Sequence, residues 1–257
     1  MNNPPFYEIE GQNAQILKLN LRPDQRMVSK AGSMVLMDDG ISFDTSLIKP
    51  SETKSLFQRL WDILTRRFVR EPVTYNVFQN HSEQTAELFL SSDHLGDIVA
   101  FDFSGLLEDI ICRKEVFLAS EISVDNALEF VKDLDAAVLG KQGFILQRYS
   151  AEEGHLFLHT GGRVVKKRIS QARLLVDVSC LLAFTSGLEY RLTTTKTMAN
   201  AFFGGEGLFL AELSGTGTVW VQSVPLCRMA NSLLEYSTSY KESQRKIQKS
   251  IKKVKRR

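Results

Sequence analysis

Along most of the chain, apolar and polar residues alternate over runs of about four to eight positions, each run ending at Gly, Ser, Asn or Asp. Alternation at period two places every second side chain on one face of an extended segment. The pattern therefore predicts short, half-buried strands separated by turns. Helical spacing is confined to three stretches. Residues 126–139 set Leu128, Val131, Leu134 and Val138 three and four apart, and residues 51–70 and 231–257 are the other two.

The strand pattern recurs. A small-apolar segment appears at Gly32–Met37, Glu115–Ser120 and Ser179–Phe184, and an alternating strand follows each, at Ile41–Phe43, Ile122–Val124 and Leu188–Tyr190. A second segment appears at Glu71–Phe78, Gln142–Tyr149 and Glu206–Leu213, at offsets of 71 and 64 residues. A turn and a closing strand then follow, at Ala86–Leu90, Gly154–Leu158 and Gly217–Val221. One order of elements met three times predicts a single β-domain over 1–233, made of three diverged copies at about 7–91, 92–160 and 161–225, with a C-terminal tail at 234–257. Many short strands bounded by turn residues suit a sandwich, barrel or prism. Closure around a pseudo-threefold axis would cover the inner faces and remove open edges.

Composition changes this picture in one respect. The 257 residues are 43% hydrophobic and 24% charged, ordinary values for a globular chain with a large core. Charge is unevenly placed: Lys241–Arg257 holds nine Lys/Arg against one Glu, leaving 23 basic and 29 acidic side chains in the rest. The basic pI of about 8.4 belongs to the tail. Cys112, Cys180 and Cys227 are far apart and odd in number, which argues for a reducing compartment and against a disulfide framework or a CxxC metal site. No apolar run approaches the roughly 18–20 residues that cross a bilayer, and the opening Met1–Glu8 lacks the features of a signal or transit peptide. The expectation is a cytoplasmic protein, peripheral at the inner face of a membrane if its basic segments engage one.

Phe202–Pro225, with its Phe-Gly-Gly-Glu-Gly and Val-Trp-Val-Gln-Ser stretches, resembles the altered-inheritance-of-mitochondria 24 family, as do Gly143–Arg148 and Ala31–Asp38. The similarity runs from about Tyr7 to about Leu233. It implies a mainly β, double-stranded β-helix-like or prism-like fold related to the tryptophan RNA-binding attenuation protein, assembled as a homotrimer. Bacterial members have no established activity, and fungal members are associated with organising the mitochondrial inner membrane. No catalytic residue, metal or cofactor comes with the resemblance. Two departures stand out: residues 51–70 contain no Gly where relatives commonly have a Gly-rich loop, and the basic tail extends beyond the similar region.

Candidate chemistry is sparse. His155 and His159 would share a helix face, but they lie on an alternating strand, where four residues span roughly 13 Å. Two nitrogens on one zinc, each bound at about 2.1 Å, must lie within roughly 4 Å of each other. Asp93, His94 and Asp97 occupy a turn-like stretch and bring no nucleophile of their own. Gly140-Lys141 lacks the P-loop's first glycine, Asp135 standing there, and Gly204–Gly207 does not complete a dinucleotide-binding fingerprint because Leu210 fills the last position.

The cationic segments are more informative. In 51–70, Leu56, Phe57, Leu60, Trp61, Leu64 and Phe68 recur at helical spacing beside Lys54, Arg59, Arg66, Arg67 and Arg70. Such a helix suits either of two roles, closing the apolar end of the β body or lying in a membrane interface. Phe57, Trp61, Arg66, Arg67 and Arg70 are its candidate contact residues. In the tail, Lys249, Lys252, Lys253, Lys255, Arg256 and Arg257 surround Ile247, Ile251 and Val254. Three roles fit that segment: a solvated end, attraction to an anionic lipid surface, or neutralisation of nucleic-acid phosphates. No aromatic residue follows Tyr240, which disfavours base stacking. These readings lead to a non-enzymatic, oligomeric scaffold without a cofactor, held at an anionic membrane surface. A nucleic-acid-binding oligomer and a small-ligand protein using the β interior are the competing classes.

Overall fold

The computed structural model describes residues 4–46, 74–129, 146–194 and 209–237. Within them the chain is mainly β, in curled antiparallel sheets. One sheet comprises β1 (Tyr7–Glu10), β2 (Ile16–Leu21), β7 (Ala86–Leu90) and β4 (Met34–Met37), paired in that order. A second runs β5 (Ile41–Ser46), β6 (Tyr75–Asn80), β3 (Arg26–Lys30), β10 (Phe117–Glu121), β13 (His155–His159), β8 (Ile98–Asp102). The third runs β11 (Asp125–Glu129), β12 (Leu146–Ser150), β9 (Ile110–Arg113), β15 (Leu181–Thr185), β17 (Phe209–Gln222), β14 (Val164–Asp177), with β16 (Leu188–Thr194) also on β17.

Period-two patterning does what the sequence predicts: along β7, Ala86, Leu88 and Leu90 are buried while Glu87 and Phe89 are less so. The buried side chains form three clusters. One joins Leu17, Leu19, Phe78 and Leu88 to Leu118 and Phe157. A second joins Val28 and Tyr75 to Phe117, Tyr149, Leu182 and Trp220, and a third joins Ile111 and Leu146 to Phe184, Leu213 and Val219. In the second, Phe117 lies between two tyrosines, with ring centroids 5.6 Å from Tyr75 and 5.7 Å from Tyr149. Strands remote in sequence therefore meet in each desolvated cluster, which is how short strands become stable.

Polar groups inside are tied to backbone that would otherwise be orphaned. The Asn80 side-chain amide donates to the Leu21 and Gln84 carbonyls. Gln222 donates to the Ser179 carbonyl and accepts from the Gly161 N–H. Ala14, Gly96 and Gly162 each stand two residues before a strand, and parallel bridges join Ala14 to Gly96 and Gly96 to Gly162. Beside them Asp97 accepts from the Val164 N–H at 3.0 Å and from Arg163 at 3.0 Å.

Four expectations need amendment. Helix over 126–139 is not what forms at its start: Asp125–Glu129 is β11, paired along its length with β12, Asn126 opposite Tyr149. Asn126 is buried and Ala127 exposed, a period-two pattern that pairing with β12 selects over helical spacing; residues 130–145 lie outside the described residues. The alternating strand placed at Ile122–Val124 likewise starts later, because Ile122 and Ser123 form the turn that precedes it. In the third copy no turn precedes the closing strand. Ser214–Gly217 stays within the 14-residue β17, matched by an equally long β14 whose register shifts between Ile169 and Ala172, with Gln171 at φ 46. That bulge absorbs the curvature a turn would otherwise supply. Finally, helix begins five residues earlier than position 231, spanning 226–237.

Candidate interaction surface

The longest run of exposed apolar residues on a strand lies at β4. Met34, Val35 and Leu36 are consecutive and 37%, 51% and 47% exposed, with Phe43 of β5 at 44%. β4 forms an outer edge of its sheet among the described residues, pairing only with β7. Edges in soluble proteins are usually blunted by charge, since their open N–H and C=O groups template further pairing. The 14-residue edge strand β14 is blunted in its first half by exposed Lys166, Lys167 and Arg168, beside Val165 at 56% exposed. Its second half is not: Leu175 is 49% exposed, and Arg173 is engaged by Glu212 at 2.5 Å.

A second apolar feature is the helix 226–237. Pro225 precedes it, and the Pro225 carbonyl accepts from the Arg228 and Met229 N–H groups; proline is favoured here because helix starts leave backbone donors without intrahelical partners. Leu226, Leu233 and Tyr236 recur on one face and are all exposed. The Arg228 guanidinium contacts the Asp177 carboxylate at 2.7 Å and so anchors the first turn to the end of β14.

The histidines are placed in two different surroundings. His155 meets Glu121 at 2.7 Å and packs among Phe6, Tyr7 and Phe157. His159 lies edge to face with His94, centroids 4.7 Å apart, and is buried with no hydrogen-bond partner for its Nδ1. Asp93 bonds to His94 and lies 3.8 Å from Lys30, which together hold its carboxyl down near 2. The sequence reading missed this histidine contact: His94 lies in the connection after β7 and His159 at the end of β13, and no local pattern joins the two. No group of three or more His, Cys, Asp or Glu among the described residues is arranged to hold a metal ion. Asp97 is committed to the Val164 backbone and Arg163, so Asp93, His94 and Asp97 form no relay to a nucleophile.

Burial, followed by repulsion from His94, pushes the His159 imidazole down to about 4. Its folded value lies below the unfolded value of about 6.5, so the unfolded chain takes up a proton first as pH falls. The stabilisation is complete above about 6.5 and is lost by about 4, a change of roughly 2–3 kcal/mol. Urea denaturation of the wild type and His159→Leu at pH 7 and pH 4 is expected to show their stability difference changing by that amount. A constant difference would assign the acid sensitivity to other groups.

Phe57, Trp61, Arg66, Arg67 and Arg70, and Lys249, Lys252, Lys253, Lys255, Arg256 and Arg257, lie outside the described residues. The helix 226–237 leads toward the second set. No helix among the described residues is long and apolar enough to cross a membrane.

Strand order and pairing define a mainly β fold of curled antiparallel sheets. The family described as "Mitochondrial biogenesis AIM24" matches residues 7–224, so the chain belongs to it. An uncharacterized protein of Streptococcus pyogenes serotype M6 is 21% identical over 221 residues, covering 86% of each chain. A crystal structure of a protein from Streptococcus pyogenes matches with a TM-score of 0.68 at 17% identity, covering 90% of this chain and 98% of that one, a likeness of fold.

Proposed function

We propose that the protein is a non-catalytic, homo-oligomeric scaffold whose prism-like β body is docked on an anionic membrane surface by its C-terminal helix and basic tail. The observation that carries this is the exposed apolar face of helix 226–237, Leu226, Leu233 and Tyr236, continuing into the nine cations of Lys241–Arg257. An apolar helix face enters the headgroup–acyl boundary, and adjacent cations add about 1 kcal/mol each near an anionic leaflet.

The body is proposed to be three diverged copies, within about 7–91, 92–160 and 161–225. Three recurrences support this. With β1 set aside and the long β14 and β17 each counted as two strands fused end to end, the third strand of each copy (β4, β10, β15) pairs with the last, and in each pair the register shifts at one place: between Met34 and Leu36, Phe117 and Ala119, Leu181 and Ala183. The second pairs with the fifth, with Ser29 opposite Asn76, Cys112 opposite Gln147 and Val176 opposite Ala211. Ala14, Gly96 and Gly162 hold corresponding positions before the first strand.

Flotation with vesicles containing anionic lipid is expected to recover the full chain, and recovery should fall at least tenfold for Leu233→Glu combined with removal of 241–257. Equal recovery on purely neutral vesicles would overturn the reading. Salt-sensitive retention of RNA with no vesicle binding would transfer it to the nucleic-acid class.

A further inference from the structure

Contacts between successive copies are built alike. β3 of the first copy pairs antiparallel with β10 of the second, Ser29 opposite Ala119, and β9 of the second pairs with β15 of the third, Cys112 opposite Ala183. Each joins the second strand of one copy to the third strand of the next. The remaining instance would join the second half of β14 to β4. Among the described residues these two do not pair, and both are sheet edges.

The three third strands are apolar on both faces, yet their fates differ. β10 is buried over Phe117–Ser120 and β15 over its whole length, whereas β4 is exposed over Met34, Val35 and Leu36. A strand apolar on both faces is suited to a position where both faces are covered, and an edge left open beside it keeps its side chains in water. β10 and β15 have two neighbours, and β4 has one.

We propose that β14 of one copy of this protein adds to β4 of a second copy as an antiparallel pair. Corresponding positions give the register: Leu36 stands where Ala119 and Ala183 stand, and Val176 where Ser29 and Cys112 stand. Val176 therefore faces Leu36, and Leu175 faces Met37. The cations of β14's first half lie outside this pairing. The interface is heterologous, each copy offering one β14 edge and one β4 edge, so assembly proceeds head to tail into a ring or a filament. The inference rests on the three-copy reading and gives the scaffold its mode of growth.

The test is sedimentation velocity on the full chain. Wild-type protein is expected to form species larger than a monomer that grow with concentration. Leu36→Lys and Leu175→Lys, each placing a charge on a side chain already about half exposed, are expected to be monomeric, with cooperative thermal melts that match the wild type at concentrations where it too is monomeric. Mixed one to one, these two variants should yield a species of two copies, because each retains the edge the other has lost. A wild type that stays monomeric at every concentration, variants that assemble like the wild type, or a mixture that stays monomeric would each overturn the proposal. Vesicle recovery of the wild type is read separately: binding retained by a wild type that does not assemble removes the strand-edge pairing and leaves the membrane reading standing, while assembly without vesicle binding does the reverse.

Discussion

Alanine at Gly96 is expected to destabilise the protein by at least about 3 kcal/mol, whereas alanine at Gly105 leaves it within about 0.5 kcal/mol of the wild type. A Cβ at Gly96 would stand 1.7 Å from the Thr160 carbonyl oxygen and 3.1 Å from the Gly162 nitrogen. These are backbone atoms, so no side-chain rotation relieves the overlap. Nor is Thr160 free to retreat: its N–H donates to the Asp97 carbonyl at 2.9 Å, and its hydroxyl oxygen accepts from the Asp97 N–H at 3.1 Å. The methyl group must therefore break the junction where Ala14, Gly96 and Gly162 come together. Gly105 is the control, since a Cβ there meets nothing within 4 Å. Urea denaturation of both variants checks this, and similar midpoints for the two would mean that the junction is not close-packed.

The second large effect is expected at Phe117. Removing its ring in Phe117→Ala should cost about 3–5 kcal/mol, because the lost burial is compounded by a cavity the surroundings fill only partly. Phe117 is 2% exposed and belongs to the cluster that unites Val28 and Tyr75 with Tyr149, Leu182 and Trp220. The rigid neighbours limit collapse: Tyr75 approaches edge-on and Tyr149 lies nearly parallel, at 1° between ring planes. Phe117→Leu should recover part of the loss. The midpoint of urea unfolding should fall with an unchanged slope, the sign that stability and not the extent of unfolding has altered. A cost below about 1 kcal/mol for the alanine variant would show that the three strand groups do not depend on this contact.

Strand identity was legible because alternation is local. Ala86–Leu90 is β7 residue for residue, and Gly154–Leu158 differs from β13 by one position. Strands whose pattern is ambiguous were harder. Asn126 and Leu128 fit a helix as readily as β11 until β12 is seen beside them, and the fused strands β14 and β17 depend on a bulge at Gln171 that composition does not announce. The family was legible because its glycine- and tryptophan-containing stretches are contiguous, and it matches over 7–224. The expected contact residues at 57–70 and 249–257 gain no structural account, being outside the described residues.

By itself, then, the sequence determined the β class, the family and the separation of a basic tail from an acidic body, since each is carried by neighbouring residues. Tertiary structure alone decided which of three similarly apolar strands is exposed. Met34–Met37, Phe117–Glu121 and Leu181–Thr185 all carry the apolar character of an interior strand, but only β4 lacks a second neighbour among the described residues. It also brought His94 to His159 and Gly96 to Thr160. The physical reason is that periodicity selects a side chain's face, whereas the neighbour across that face is selected by strand order, which is settled between residues tens of positions apart.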